Sequence, residues 1–536
     1  MSLRLWPVGG LGEFGANCMV CQLAGGPSVV LDAGVALGTL EEYGVSYEVP
    51  DFASLGTKPP ELLLASHAHD DHLKGLPFFA AAFPETPVAT SPPTWPWVQR
   101  LAPGVAGQVL QAEPLRLGGF EVEALPASHS VPGTVLLRVI TREVRLVLAT
   151  DFRLAPSALG EETDLERLAA WGREGVDILL LDATNALVRE LPPPEATVAA
   201  TLAELVAGAA GAVVAVTFAS HAGRFLQLVR AAQAAGRVVI PLGRGVEEML
   251  AVHTERGGLP LPPGVVRSSR ELVRFPKDQL LLVVTGSQGE PAAVLPRLAM
   301  DEVAGFRLGP GDLVIHAARI IPGNEKRLDR IFDHCVRRGA RVVTSQEAPT
   351  HASGHPPVPE LRQLLELLRP RWVVPVHGRL RQLAAVAELA RELATRAVVV
   401  ENGQELVFEH GELQATGVFR PVGRILVDVD QETLDSAVVW ERRAAARSGV
   451  VVAVLAIPAD PKAALPNPHI ECFGLRLPGV NRAHLAAELG GVLRRDGGSS
   501  LRDPEKLRAT MQQWLSSELR KRLGKKPRVV ALTVEF

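Results

Sequence analysis

The run Ser66-His67-Ala68-His69-Asp70-Asp71-His72 follows directly on the apolar residues 62–65. Three imidazoles and a carboxylate within six positions make a poor core, because each buried polar group would need a partner of its own. Shared coordination of cations satisfies them together. In a loop, His67 and His69 can chelate one ion while Asp71 and His72 turn to a second, and such a mixed donor set suits zinc or manganese. Five more polar residues stand where apolar strands are expected to end. Asp32 follows 29–31, His129 follows a strand through 120–125, Asp151 follows 146–149, Asp182 follows 178–181 and His377 follows 373–376. One aspartate in such a place is more often a turn former or helix cap. Five such residues, beside a histidine cluster, describe a site assembled at strand ends, the usual place in α/β proteins.

The elements that must hold these residues fall into three regimes. Up to about residue 185, short apolar runs alternate with Gly, Pro and Asp turns, the pattern of a sheet-rich domain. From about 192 to 344 helix-like and strand-like stretches alternate (196–210 then 213–216, 224–235 then 238–240, 328–339 then 342–343), which reads as a parallel α/β unit. Beyond 365 the buried strand signals 372–376 and 397–400 return, so the middle unit is expected to be an insertion. The resulting division is 1–193, 194–348 and 349–440, a linker at 441–460, and a small α/β domain at 461–536. In that last domain Asp503 is the expected N-cap and Pro504 the N1 residue of a helix with apolar Leu507, Met511, Trp514, Leu515 and Leu519, closed by Gly524. A strand over 529–534 follows it, and its edge would be open if left alone.

With 56 basic against 59 acidic residues, the chain has no global positive field. Nucleic-acid binding would therefore need a local basic groove. Four cysteines in 536 residues make no disulfide framework, and Cys18 and Cys21 lack the second pair of a metal ribbon, so buried thiols are expected. No signal peptide opens the sequence, and the longest apolar run, 450–458, is about half of what a membrane span requires. A cytoplasmic location and no membrane partner are the expectations.

Asp32 in Leu-Asp-Ala-Gly, the His-x-His-x-Asp-His string at 67–72, His129 and Asp151 together resemble the metallo-β-lactamase superfamily. Asp182, His355 and His377 resemble the three additional motifs of its nucleic-acid-processing β-CASP branch. Over nearly its whole length the chain is similar to the ribonuclease J family. The stretches that carry this include residues 7–13, 181–186, 217–220, 285–290, Ile321-Pro322-Gly323-Asn324-Glu325, His351-Ala352-Ser353-Gly354-His355 and Pro375-Val376-His377-Gly378. The resemblance implies an α/β fold: a metallo-β-lactamase αββα sandwich interrupted by a parallel β-CASP domain, with a small C-terminal α/β domain. It implies two divalent ions, zinc or manganese, one held by His67, His69 and His129, the other by Asp71, His72 and His377, with Asp151 between them. Asp32 would orient ligands and the attacking hydroxide. His355, not needed as a ligand, is the candidate general acid, with Asp182 fixing its tautomer. His351, Ser353 and the backbone at Gly354 would take an RNA 5′-monophosphate.

The implied activity is hydrolysis of single-stranded RNA, both 5′→3′ exonucleolytic and endonucleolytic, in RNA processing and decay, by a homodimer or homotetramer formed through the C-terminal domain. A β-CASP nuclease acting on DNA or only as an endonuclease, and a weakly active partner subunit of a paralogue, are the alternatives. Gly133, Arg379, Ala317, Ala318 and Gly223 depart from the family's usual residues, and their expected effect is on substrate handling.

Overall fold

The computed structural model describes residues 2–38, 40–254, 259–321, 323–460, 462–476, 481–495, 503–524 and 526–536, so Pro322 of the expected loop motif lies outside the described residues. Two compact units are present, one made of 1–37 and 48–424, the other of 38–47 and 425–536.

Two sheets in the first unit build the frame of the site. One runs Glu412–Phe419, Gln404–Glu409, Leu3–Gly9, Cys18–Leu23, Ser28–Leu31, Leu62–Leu64, Val88–Thr90 and Gly107–Val109 in spatial order. The other runs Arg396–Ala397, Trp372–Val376, Ile178–Asp182, Arg145–Ala149, Val135–Ile140, Phe120–Pro126 and Leu115–Leu117. Leu5, Met19, Val29 and Leu62 of the first share one continuous core with Leu137, Leu146, Leu180 and Val374 of the second. The helices Leu165–Glu174, Val358–Leu368 and Leu380–Glu392 pack Leu168, Leu364 and Val386 against that same core. Strands such as Ile178–Asp182, buried at every position, read as uninterrupted apolar runs because both faces are covered. The strand Trp372–Val376 pairs with Ile178–Asp182, which precedes the middle of the chain, so that middle is an insertion, as expected.

The insertion is a five-stranded, all-parallel sheet in the order Val238–Leu242, Leu280–Val284, Val213–Val216, Leu313–His316 and Arg341–Val343. Helices Ala222–Ala234 and Glu325–Arg337 lie on crossovers that parallel pairing requires, and Glu195–Gly208 leads into the first strand. Ala317 and Ala318, the positions expected to matter for substrate handling, are fully buried. Gly223 packs on Ala158, where a Cβ would lie 2.7 Å from the alanine Cβ.

In the second unit, Val450–Ile457 is the middle strand between His469–Phe473 and Arg528–Glu535. The expected linker at 441–460 is therefore corrected: it holds most of the helix Ser436–Ser448, capped by Asp435, and this central strand. Its apolar residues alternate buried and half-buried with period two, and the buried set Val451, Ala453, Leu455 and Ile457 packs under two helices, Arg482–Arg495 and Pro504–Leu523. The Pro504–Leu523 helix forms as expected. Asp503 caps it by accepting the Glu505 N–H at 3.0 Å, Gly524 ends it in the left-handed region, and Leu507, Met511, Leu515 and Leu519 form its buried stripe. The last strand lies at the sheet's edge, beside Val450–Ile457.

Cys18, Cys21 and Cys335 are buried free thiols, and burial raises the pKa of each well above the ordinary cysteine range. Among the described residues, no helix is long and apolar enough to cross a membrane.

Candidate active site and metal centre

Parallel pairing brings the strand ends together. Leu146–Ala149 pair in register with Ile178–Leu181, and Ile178–Asp182 with Trp372–Val376, so Asp151, Asp182 and His377 emerge side by side at one sheet edge. Val29–Leu31 pair in register with Leu62–Leu64, which delivers Asp32 and the histidine loop to the facing edge. Asp32, Asp151 and His377 all adopt positive φ, at 61°, 54° and 58°. For a residue with a side chain this costs about 1–2 kcal/mol each. Such strain at three site residues marks where the strands are bent to aim their side chains. Gly34 allows the two loops to touch, since a Cβ there would lie 1.6 Å from the Asp71 carbonyl oxygen.

Three nitrogens converge on one point. His67 Nε2 and His129 Nε2 lie 3.0 and 3.2 Å from His69 Nδ1, and Asp151 Oδ2 lies 3.6, 3.5 and 4.0 Å from His67, His129 and His69 in turn. The opposite nitrogen of each ring is committed elsewhere: His67 Nδ1 to Ser66 Oγ at 3.0 Å, His69 Nε2 to Ser130 Oγ at 3.2 Å, His129 Nδ1 to the Gly354 carbonyl at 2.8 Å. Each ring thus turns a lone pair inward. Burial, reinforced by neighbouring imidazoles, drives His67 well below the usual histidine range and His129 down to about 3, which keeps both neutral as ligation demands.

A second group faces the other oxygen of Asp151. Oδ1 lies 3.1 Å from His72 Nε2 and 3.7 Å from His377 Nε2, and Asp71 Oδ2 lies 3.0 Å from His377 Nε2. Asp151 Oδ1 is buried and accepts no hydrogen bond, an arrangement that costs about 1–3 kcal/mol unless a cation occupies that side. The donor set and this orphaned oxygen fit two divalent ions sharing one carboxylate. His72 Nδ1 donates to Asp32 Oδ2 at 2.7 Å, and Asp32 Oδ1 accepts the Ser66 N–H at 2.7 Å. Asp32 therefore positions His72 and the histidine loop through contacts that engage both its oxygens.

His355 stands beside both groups, and with Asp151, Asp182 and His377 it makes a third set of donors close enough to share an ion. Its Nδ1 lies 2.9 Å from Asp182 Oδ2 and its Nε2 3.7 Å from Asp151 Oδ2. Burial opposes its charge, but the carboxylates of Asp151 and Asp182 outweigh it and raise the imidazole above its usual pKa. Asp182 also accepts the Asp151 and Thr184 backbone N–H groups, so it is fixed before it orients anything. Of the expected phosphate-binding residues, Ser353 Oγ accepts from Asn185 Nδ2 at 2.9 Å and Gly354 gives its carbonyl to His129. His351 lies apart, its ring among Phe218 and His221 and its Nδ1 buried without a partner. Gly133 packs on Pro93, and Arg379 lies over the Phe14 ring at 5.8 Å.

Sequence reading missed several supporting residues. Thr184 Oγ1 lies 2.5 Å from His377 Nδ1 and turns His377 Nε2 toward Asp71. Asn17 donates to the Asp71 carbonyl at 3.0 Å, and Ser66 links His67 to Asp32. Only Thr184 and Asn185 carried a signal, since they stand two and three positions after Asp182. Gly354→Ala would place a Cβ 2.7 Å from His129 Cε1 and Nδ1. We expect this substitution to weaken metal retention and activity about 10–100-fold, the usual effect of disturbing a ligand's supporting hydrogen bond. Elemental analysis showing full metal content at native activity would refute it.

Fold and site together define a metallo-β-lactamase-type metallo-hydrolase with an inserted β-CASP domain. Residues 11–158 match the family described as "Metallo-beta-lactamase superfamily", residues 210–335 "Ribonuclease J, beta-CASP domain", and residues 341–400 "Zn-dependent metallo-hydrolase RNA specificity domain". Ribonuclease J of Mycobacterium tuberculosis is 30% identical over 559 residues, covering 99% of this chain and 97% of its own, so the chain belongs to the ribonuclease J family. Ribonuclease J of Mycolicibacterium smegmatis is 34% identical over 80% of this chain and 78% of its own, and that of Helicobacter pylori 27% identical over 100% and 80%. A crystal structure of an Enterococcus faecalis protein of unknown function shares the fold, with TM-score 0.55 at 16% identity over 76% of this chain and all of that one.

Proposed function

We propose that this protein is a dinuclear metal-dependent ribonuclease that hydrolyses phosphodiester bonds of single-stranded RNA, as a 5′→3′ exonuclease preferring 5′-monophosphate ends and as an endonuclease, in the cytoplasm. The observation that carries this reading is the Asp151 carboxylate, whose two oxygens face two separate donor groups while His355 stands alongside. His67, His69 and His129 would hold one ion, Asp71, His72 and His377 the other, with Asp151 shared. Two divalent ions there would lower the pKa of a water and stabilise charge on the phosphate oxygens. His355 Nε2 holds the proton for the leaving 3′-oxygen, and Asp182 fixes the opposite nitrogen.

For the 5′ end, Ser353 retains its hydroxyl hydrogen, because Oγ only accepts from Asn185 and from the His355 N–H. That hydrogen and the neighbouring loop backbone are the proposed phosphate donors, with His351 shaping the loop. The edge strand Arg528–Glu535, which exposes Leu532 and Val534 and is followed by exposed Phe536, supports self-association through the C-terminal domain as a homodimer or homotetramer.

The test incubates metal-loaded protein with matched 5′-labelled RNA and DNA carrying monophosphate, triphosphate or hydroxyl ends. Release of mononucleotides from monophosphorylated RNA, with slower cutting of the other ends and little of DNA, is the expected result. Equal cutting of DNA, or indifference to the 5′ end, would overturn the corresponding part.

A further inference from the structure

Three successive carbonyls in the loop that carries His355 are each held by a different side chain. Ser353 O accepts Arg153 Nη1–H at 2.7 Å, Gly354 O takes the His129 Nδ1–H at 2.8 Å, and His355 O accepts Asn185 Nδ2–H at 2.9 Å. Arg153 is the charged member of this set, and more than nine-tenths of it is buried. The rest of its guanidinium forms a two-pronged bond to Glu360, with Nε 2.9 Å from Oε2 and Nη2 2.7 Å from Oε1. Glu360 Oε2 also accepts the Leu154 N–H at 2.9 Å.

An ion pair so deeply buried is weak support for stability, since apolar replacements are often as stable or more so. What a planar fork adds is orientation. The orientation here spans three functional segments. Arg153 lies two residues beyond Asp151, and its own N–H donates at 2.8 Å to the carbonyl of Ser128, the neighbour of His129. Glu360 sits in the first turn of the helix Val358–Leu368, which His355 shortly precedes.

We infer that Arg153 and Glu360 are positioning residues for proton delivery by His355, holding its loop against the Asp151 and His129 loops. The inference rests on the reading of His355 as general acid. In that reaction the oxygen of water forms the new P–O bond. The P–O3′ bond breaks with its electron pair passing to O3′, which takes the proton from His355 Nε2, and the water's lost proton restores the imidazole through solvent. A misplaced loop slows only the step that needs that proton.

The test compares two substrates. Cleavage of a 5′-monophosphorylated RNA expels a 3′-alkoxide that must be protonated, whereas the p-nitrophenyl ester of uridine 5′-phosphate releases a phenolate that needs no proton. Arg153→Lys, which keeps the charge and loses the fork, and Glu360→Gln, which keeps the shape, are each assayed with metal analysis. We expect native metal content, kcat on RNA lowered about 10–100-fold with KM little changed, and ester cleavage within about twofold of native. Equal losses on both substrates, lost metal, or native rates on both would overturn the inference. His355→Ala is the control. If it impairs both substrates equally, the general-acid reading fails. If it spares the ester while both Arg153→Lys and Glu360→Gln do not, that reading stands and the positioning role falls.

Discussion

His355→Ala is expected to slow RNA cleavage about 10²–10⁴-fold, the range for a lost general acid, while leaving metal content unchanged. His377→Ala is expected to lose metal as well as activity. The two rings stack 5.3 Å apart, yet their contacts differ in kind. His377 Nε2 lies 3.0 Å from Asp71 within the second donor group, whereas His355 is tied to Asp182 and can be removed with both groups complete. The pH profile supplies a second readout. Burial opposes the His355 charge but the Asp151 and Asp182 carboxylates raise it above its ordinary pKa, so kcat should fall as pH rises through that raised value. The His355→Ala enzyme should lack this limb. Loss of metal from His355→Ala would require the roles of the two histidines to be exchanged.

Chelation is expected to reduce activity to background, with full recovery on adding zinc or manganese to about two equivalents per chain. Asp151→Ala should abolish activity too, since it removes the carboxylate common to both donor groups. The second group has a predictable pH dependence. Burial works against the His377 charge, but Asp151, Asp71 and Asp182 raise its pKa to about 9. A cation must displace that proton, so apparent affinity should rise with pH until about 9, by up to about tenfold per unit. Isothermal titration in buffers of different ionisation enthalpy would count the released proton. One tightly bound ion per chain at full activity would refute the dinuclear reading.

Much of the fold and the site was legible because both are written in short-range terms. The apolar runs that become Arg145–Ala149, Ile178–Asp182 and Trp372–Val376 are unbroken because those strands are covered on both faces, and each names its own polar terminus. The Asp503–Gly524 helix was legible from its caps. Residues 441–460 were misread because the helix Ser436–Ser448 buries only Val439 and carries Arg442, Arg443 and Arg447, which gives it the look of a solvated connector. The apolar run after it is uniformly apolar in sequence, and the alternation that marks it as a half-buried strand exists only in its burial.

Arg153, Glu360 and Asn17 were illegible as parts of the site for a different reason. An arginine or asparagine is an ordinary surface residue until its partner is known, and the partner of Arg153 lies 207 positions away.

Taken alone, the sequence determined which side chains are present and that they sit at strand ends, because donor type and an unbroken apolar run are local properties. Only the tertiary structure decided which nitrogen of each imidazole faces inward. That choice follows the hydrogen bond made by the opposite nitrogen, as Gly354 O does for His129 over 225 positions and Thr184 Oγ1 for His377 over 193. It also decided that the two oxygens of Asp151 face different donor groups, because the second group joins Asp71 to His377 across 306 positions, a contact made where the strand ends of one sheet face those of the other.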